Sequence, residues 1–211
     1  MQEEISFTWK SKDGSRIRVG VEPSFSHPNV CRFVSSPELY PDGAIHVPAK
    51  NSGSFSPLAD RVLALGNIAE VLIAGDAVTV TAEEQADWGE LAEKIALEIR
   101  AQHDSGKPAV KPDHKASLPS SDSIRKQVQD ILDTAVAPAV ASHGGQVDLL
   151  DVKGNNVFLE FGGGCQGCGL AHVTLKYGVE KLIREHIPEV GEIFDTTDHA
   201  GGKNPYYAPR S

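Results

Sequence analysis

The chain has 211 residues, is 40% hydrophobic and 23% charged, and carries a formal net charge of −9. That length suits one large or two small domains, and the composition is that of a globular protein. The acidic balance opposes a nucleic-acid role, because phosphate binding needs a basic footprint; no apolar run reaches the ~18 residues of a membrane span; and three cysteines are too few for a disulfide framework.

The opening Met1-Gln2-Glu3-Glu4 is acidic and polar. It argues against a secretory signal or an arginine-rich transit peptide and points to a soluble, cytoplasmic protein without a membrane partner. Ile17, Val19 and Val21 alternate as in a strand. A loop-rich stretch follows, with Pro23, Pro28, Pro37, Pro41 and Pro48, and holds a short strand at Arg32-Phe33-Val34. Ser56-Pro57 is a helix start, with Ser as N-cap and Pro at the first helical position. Leu58, Val62 and Leu65 give that helix an apolar face, and Gly66 suits its C-terminal cap. Glu70-Val71-Leu72-Ile73 and Ala77-Val78-Thr79-Val80-Thr81 flank Gly75-Asp76, a hairpin pattern. Trp88, Leu91, Ile95 and Ile99 mark an amphipathic helix. Trp88 with Glu83, Glu84 and Asp87 is preferred as a core anchor beside an acidic first turn rather than as a site.

These elements predict a first domain over residues 1–103. Residues 104–121 have turn residues, serines and lysines without apolar periodicity, and so predict a linker. A second domain over 122–197 opens with a helix whose face is Ile124, Val128, Ile131, Leu132, Ala135, Val136 and Val140, capped by Asp122 or Ser123. Pro138 is expected to kink or end it. His143-Gly144-Gly145 is a turn, Val147–Val152 a strand, Gly154-Asn155-Asn156 a turn back, and Val157–Phe161 its partner strand. A helix through Leu175, Val179, Leu182 and Ile183 runs to about His186, Pro188 breaks it, and Val190–Phe194 adds a final strand. Residues 198–211 have the composition of a mobile tail. The expected class is α+β: two small two-layer α/β domains joined by a flexible linker.

One stretch carries chemistry: Phe161-Gly162-Gly163-Gly164-Cys165-Gln166-Gly167-Cys168-Gly169. It places a C-x-x-C pair on a glycine-rich turn between a strand and a helix N-terminus. Orphan N–H groups and the helix dipole favour negative charge there and lower thiol pKa values. Thiolate binds soft metals and attacks disulfides. Four readings are open: thioredoxin-like redox chemistry, a zinc site, a structural thiol pair, and an iron–sulfur cluster shared between two copies of the chain. Against the first stand the shortness of the domain, the absence of an expected parallel βαβ framework and the Gln166-Gly167 pair between the cysteines. Against zinc stands the lack of a second C-x-x-C or a His at knuckle spacing. A structural pair would not require Gly162-Gly163-Gly164. A shared cluster accounts for the pair, the glycines and the missing ligands together.

The combination His143-Gly144-Gly145-x-Val147, Phe161-Gly162-Gly163-Gly164-Cys165-x-Gly167-Cys168, Val173-Thr174-Leu175-Lys176-x-Gly178-Val179-Glu180 and Ile187-Pro188-Glu189-Val190 resembles the Nfu family, the NifU C-terminal-type iron–sulfur proteins. The likeness covers about residues 123–197. Phe55-Ser56-Pro57-Leu58-Ala59 through the Gly75-Asp76 hairpin to Asp87-Trp88 is similar to the Nfu N-terminal domain, whose Pro-Asn opening is loosely matched at His27-Pro28-Asn29. The resemblance implies a non-enzymatic scaffold or carrier. It implies a [4Fe-4S] cluster held between the subunits of a homodimer by Cys165 and Cys168 of each and passed by ligand exchange to apo iron–sulfur recipients, with a cluster donor scaffold as a further partner.

Other residues carry weaker patterns. Cys31 has no partner at metal spacing and is expected in the core. His143 is expected to serve a turn, Lys176 a solvated helix face, and His172 lies outside a recognisable ligand spacing.

Overall fold

The computed structural model describes residues 5–12, 14–51, 55–141, 145–163 and 169–196. The chain divides into two compact units, Met1–Leu118 and Pro119–Ser211. Both combine helices and sheets, and the class is α+β.

The first unit contains the strands β1 (Ile5–Lys10), β2 (Arg16–Pro23), β3 (Val30–Ser36) and β4 (Tyr40–Pro48), helix α1 (Pro57–Leu63), strands β5 (Ile68–Gly75) and β6 (Ala77–Ala82), and helices α2 (Trp88–Asp104) and α3 (Asp113–Ser117). The strands form one antiparallel sheet in the order β1-β2-β3-β6-β5-β4. Alternation places one apolar row across five strands: Val21 opposite Phe33, Phe33 opposite Val78, Val78 opposite Ile73, Ile73 opposite Ile45. Helices α1 and α2 cover that row with Leu58, Ala59 and Val62 and with Ala92, Ile95, Ala96 and Ile99, all buried. Each large side chain removed from water there contributes about 1.5–3 kcal/mol. The β5–β6 hairpin turns at Gly75, whose φ of +57° favours glycine.

Two strands fall outside the sequence expectation. The proline-rich stretch predicted as loop contains β4, which tolerates Pro41 and Pro48 because it is an edge strand that shifts register between Tyr40 and Ala44. The other edge, β1, places Phe7 opposite Val19 and Trp9 opposite Ile17, and Arg100 lies 5.5 Å from the Trp9 ring centre.

Residues 104–121 differ from a free linker over much of their length. Ala109 and Val110 are buried, the Lys111 N–H donates to the Phe55 carbonyl, and the Ser56 hydroxyl donates to the Ala109 carbonyl at 2.8 Å. Helix α3 then places His114 against Phe55 and within 3.1 Å of the Tyr40 hydroxyl, and burial lowers the His114 pKa. Two apolar residues are too few to show a period, yet enough to fix this strap to its own unit.

The second unit runs α4 (Ser121–Ile131), a π turn (Leu132–Val136), α5 (Ala137–Ala141), β7 (Gly145–Lys153), β8 (Asn156–Gly163), α6 (Gly169–His186) and β9 (Ile193–Asp195). Helix α4 is capped by Ser120, which accepts the Ser123 N–H, rather than by Asp122 or Ser123. Pro138 does not end the helical path. The π turn, in which the Ala137 N–H donates to Leu132 O five residues back, widens the backbone just before the proline. Strands β7 and β8 are antiparallel, and β8 and β9 are parallel. Ile124, Val128, Leu132, Val136 and Val140 pack with Val157, Leu159, Phe161, Val179 and Ile183 in one core. On the other face of the sheet Phe158 stacks on Phe194 at 4.9 Å, with the Lys153 ammonium 5.1 Å from its ring centre. The expected tail, 198–211, lies outside the described residues.

Ser56 joins the α1 cap to the strap, since its buried hydroxyl also accepts the Ala59 N–H at 3.1 Å. Ser56→Ala strands two buried backbone groups and should cost about 1–3 kcal/mol. Urea denaturation is expected to show that loss, with faster proteolytic cutting between residues 106 and 118. A loss below about 0.5 kcal/mol would show that neither bond is needed.

Candidate metal centre

The C-x-x-C pair lies where β8 gives way to α6. Strand β8 is fixed by its alternating residues Val157, Leu159 and Phe161, at most 1% exposed, while Phe158 and Glu160 point to the other face. Its pairing with β7 continues to Gly145 opposite Gly163, the last described residue before the turn. Among the described residues only the Gln146 Cβ comes near Gly162, 3.7 Å from where a Cβ would stand. On the far side α6 begins at Gly169 and is anchored by buried Val179 and Ile183. Cys165 and Cys168 themselves, like His143 and Gly164, lie outside the described residues, and the described ones next to them define only where that segment starts and ends.

The return of the chain after α6 is held by two asparagines. The buried Asn155 side chain donates to the Glu189 carbonyl at 2.8 Å, and the Asn155 backbone carbonyl accepts the Gly191 N–H. The Asn156 side chain accepts the Glu192 N–H at 2.9 Å. Arg184 donates to the Val190 carbonyl from the end of α6. These bonds deliver β9 to the beginning of β8, with Val157 opposite Ile193. The asparagines read in sequence only as turn formers; their role depends on residues more than 30 positions away and leaves no local pattern.

The absence of a parallel βαβ framework does not hold as an argument against thioredoxin-like chemistry. Strand β8, helix α6 and strand β9 form one such unit. What stands against that chemistry is the Gln166-Gly167 pair and the small size of the sheet, three strands among the described residues.

The remaining sequence candidates separate by environment. Cys31 is fully buried in β3, opposite Val80 and Pro23. Burial pushes its thiol pKa up to about 12, with the Glu22 carboxylate adding to the rise. That is a core thiol, as expected. Lys176 is partly exposed and faces Glu180 one turn on at 3.8 Å, a solvated helix pair. Asp87 caps α2 by accepting the Gly89 N–H, and Trp88 donates its indole N–H to the Pro28 carbonyl while packing against the first core. Trp88 is thus a core anchor, as expected, while Asp87 caps the helix and Glu83 and Glu84 precede it rather than forming its first turn. The side chain of His172 lies outside the described residues. Among the described residues no group of three or more His, Cys, Asp or Glu side chains could hold a metal, and no helix is long and apolar enough to cross a membrane.

Comparison with known proteins covers both units. Residues 128–194 match the NifU-like domain, and residues 24–106 match the domain described as scaffold protein Nfu/NifU N terminal. A protein named Fe/S biogenesis protein NfuA from Pseudomonas aeruginosa is 48% identical over 98 residues, which are 46% of this chain and 50% of that one. The protein of the same name from Pseudomonas syringae pv. tomato is 46% identical over 101 residues, 46% of this chain and 51% of its own. The one from Ectopseudomonas mendocina is 46% identical over 98 residues, 46% of this chain and 50% of its own. The chain thus spans about half the length of the curated relatives it matches.

The Cys31 thiol sets a test of this division. Its ordinary value of 9.0 rises to about 12 on folding, so the stability linked to its neutral form is complete below pH 9 and is lost as the pH climbs towards 12. In native protein at pH 8 the Cys31 peptide should stay unlabelled by iodoacetamide, and unfolding in urea should label it. Mass spectrometry that finds Cys31 labelled in the native state as fast as a free thiol would place it outside the core.

Proposed function

Because the chain belongs to the Nfu family, with the family's N-terminal and NifU-like domains in order, we propose that it carries an iron–sulfur cluster and delivers it to apo-proteins. The cluster is cargo, so the protein needs no catalytic turnover. The observation that carries this reading is the C-x-x-C pair bracketed by β8 and α6 within the residues that match the NifU-like domain. Cys165 and Cys168 supply two thiolates, and the third cysteine of the chain is a protonated core residue. A [4Fe-4S] cluster takes four thiolates, so two copies of the chain hold it between them as a homodimer. Release is ligand exchange: recipient thiolates replace those of Cys165 and Cys168 one by one, with no net change in oxidation. The proposed setting is the cytoplasm, with a donor scaffold upstream.

The parallel β8–α6–β9 unit supports a second reading, a dithiol oxidoreductase using the same cysteines. Anaerobic reconstitution with iron and sulfide separates the two. A brown dimer with four irons per two chains supports the carrier; a colourless monomer that reduces disulfides supports the oxidoreductase.

Cys165→Ser and Cys168→Ser are each expected to abolish stable cluster binding, and Cys31→Ser to leave iron content nearly intact. Loss of all iron in the Cys31 variant would remove the two-ligand assignment.

The same reading makes the second unit sufficient for loading. Its core is built from its own residues, so a fragment beginning at Pro119 should fold, reconstitute and dimerise like the full chain. Circular dichroism and iron counting test this; a fragment that is unfolded would show that the two units fold as one.

A further inference from the structure

The side chain most at odds with its surroundings is Phe25, an aromatic 87% exposed in the short connection between β2 and β3. That connection is not loose. The Ser24 N–H donates to the Val30 carbonyl and the Val30 N–H to the His27 carbonyl, closing the loop across its base. The Ser24 hydroxyl accepts the His27 N–H at 3.2 Å and meets the Ser26 hydroxyl at 3.3 Å, which in turn lies 3.2 Å from the His27 ring. The base is tied to the neighbouring chain as well. Asn29 exchanges two hydrogen bonds with Ala82, and Trp88 donates to the Pro28 carbonyl at 2.8 Å. A rigid loop that holds a large aromatic in water has the energetic form of a binding anchor: the side chain loses little freedom on docking, and its burial is the gain.

The surroundings of this knob are mainly acidic, and the nearby Arg32 is paired with Glu22 at 3.2 Å. The contacts to Ala82 and Trp88 bring the segment 82–90 alongside it, and Glu83, Glu84, Asp87 and Glu90 are exposed there. No lysine or arginine occurs between Arg18 and Arg32 or between Arg61 and Lys94, the two stretches that build this end of the unit. Asp87 and Glu90 have local partners, Gly89 and Lys94. Glu83 and Glu84 have no such structural duty among the side-chain bonds described, and their charge faces outward. We propose that the Ser24–Asn29 loop is a docking knob, with Phe25 as its anchor, for a protein partner that offers an apolar pocket rimmed by lysine or arginine. Resting on the carrier reading, the partner is an apo iron–sulfur recipient, and the acidic rim steers its approach.

The test uses the metal-free full chain, so that docking is read apart from cluster loading. Titration calorimetry against apo-aconitase and an apo [4Fe-4S] ferredoxin is done with the natural chain, Phe25→Ser and the double variant Glu83→Lys, Glu84→Lys. Phe25→Ser should leave the melting temperature unchanged, because the ring is in water, and weaken binding to at least one recipient about tenfold or more. The double variant should weaken binding several-fold at low salt and lose its difference from the natural chain at high salt. Equal affinity of the natural chain and Phe25→Ser for both recipients overturns the proposal, as does the absence of binding by the natural chain to either. Iron and sulfide counting after reconstitution of the same samples addresses the other question: a natural chain that takes up no cluster overturns the carrier reading and leaves the docking result to stand on its own measurements.

Discussion

The second unit depends on the burial of one face of a single strand. Val157, Leu159 and Phe161 go inward against α4, the π turn and α6, and with a period of two any slip of one residue would turn all three to the opposite face of the sheet. That burial fixes where β8 leaves the sheet, and so fixes the start of the segment that contains Cys165 and Cys168. The crossover is constrained at its other end as well, where Asn155 and Asn156 hold the approach to β9. The C-x-x-C segment is therefore flanked by a strand locked by its core face and a helix whose return is pinned by hydrogen bonds. On the carrier reading, a ligand pair shared with a second copy needs this kind of support, since the two halves must present the same geometry.

How much of this is legible in the sequence depends on the range of the interaction. The β5–β6 hairpin, α1 with its Ser56 cap, α2 and the helix–strand–strand–helix order of the second unit follow from local period and turn chemistry, and the fold shows them. The C-x-x-C pair is legible for the same reason, because its spacing is local. Strand β4 is not, because Pro41 and Pro48 break its pattern and only its edge position makes them tolerable. The Ala109–Ser117 strap is hidden by composition: its two buried apolar residues matter only because Phe55 and Ser56 wait for them. The parallel pairing of β9 with β8 rests on three residue pairs and on bonds from the Asn155-Asn156 turn. None of these has a periodic signature.

Phe25 illustrates the same limit from the side of function. In sequence it is one aromatic among serines and prolines, and nothing local separates a knob from a loop residue that folds inward. Two facts from the fold do: the ring is in water, and the loop under it is held by bonds to Ala82 and from Trp88. The carboxylates at 83 and 84 gain meaning only through that contact. In sequence they are the acidic approach to a helix, which Asp87 alone turns out to cap.

Cys31 shows how a cysteine takes its chemistry from its backbone setting. Cys31 sits mid-strand between Val80 and Pro23, and its neighbours offer hydrocarbon and the repulsion of Glu22. Ionising it would place a charge where nothing solvates it, so it remains a small apolar residue that packs. The stretch around Cys165 and Cys168 is glycine-rich and opens into an 18-residue helix. A helix start supplies unpaired N–H groups and the positive end of the dipole, the conditions that favour thiolate. On the carrier reading this segregation has a consequence for fidelity. A cluster looking for thiolates within the chain finds them only at the turn, because the remaining thiol is held protonated by a core that would have to open before it could compete.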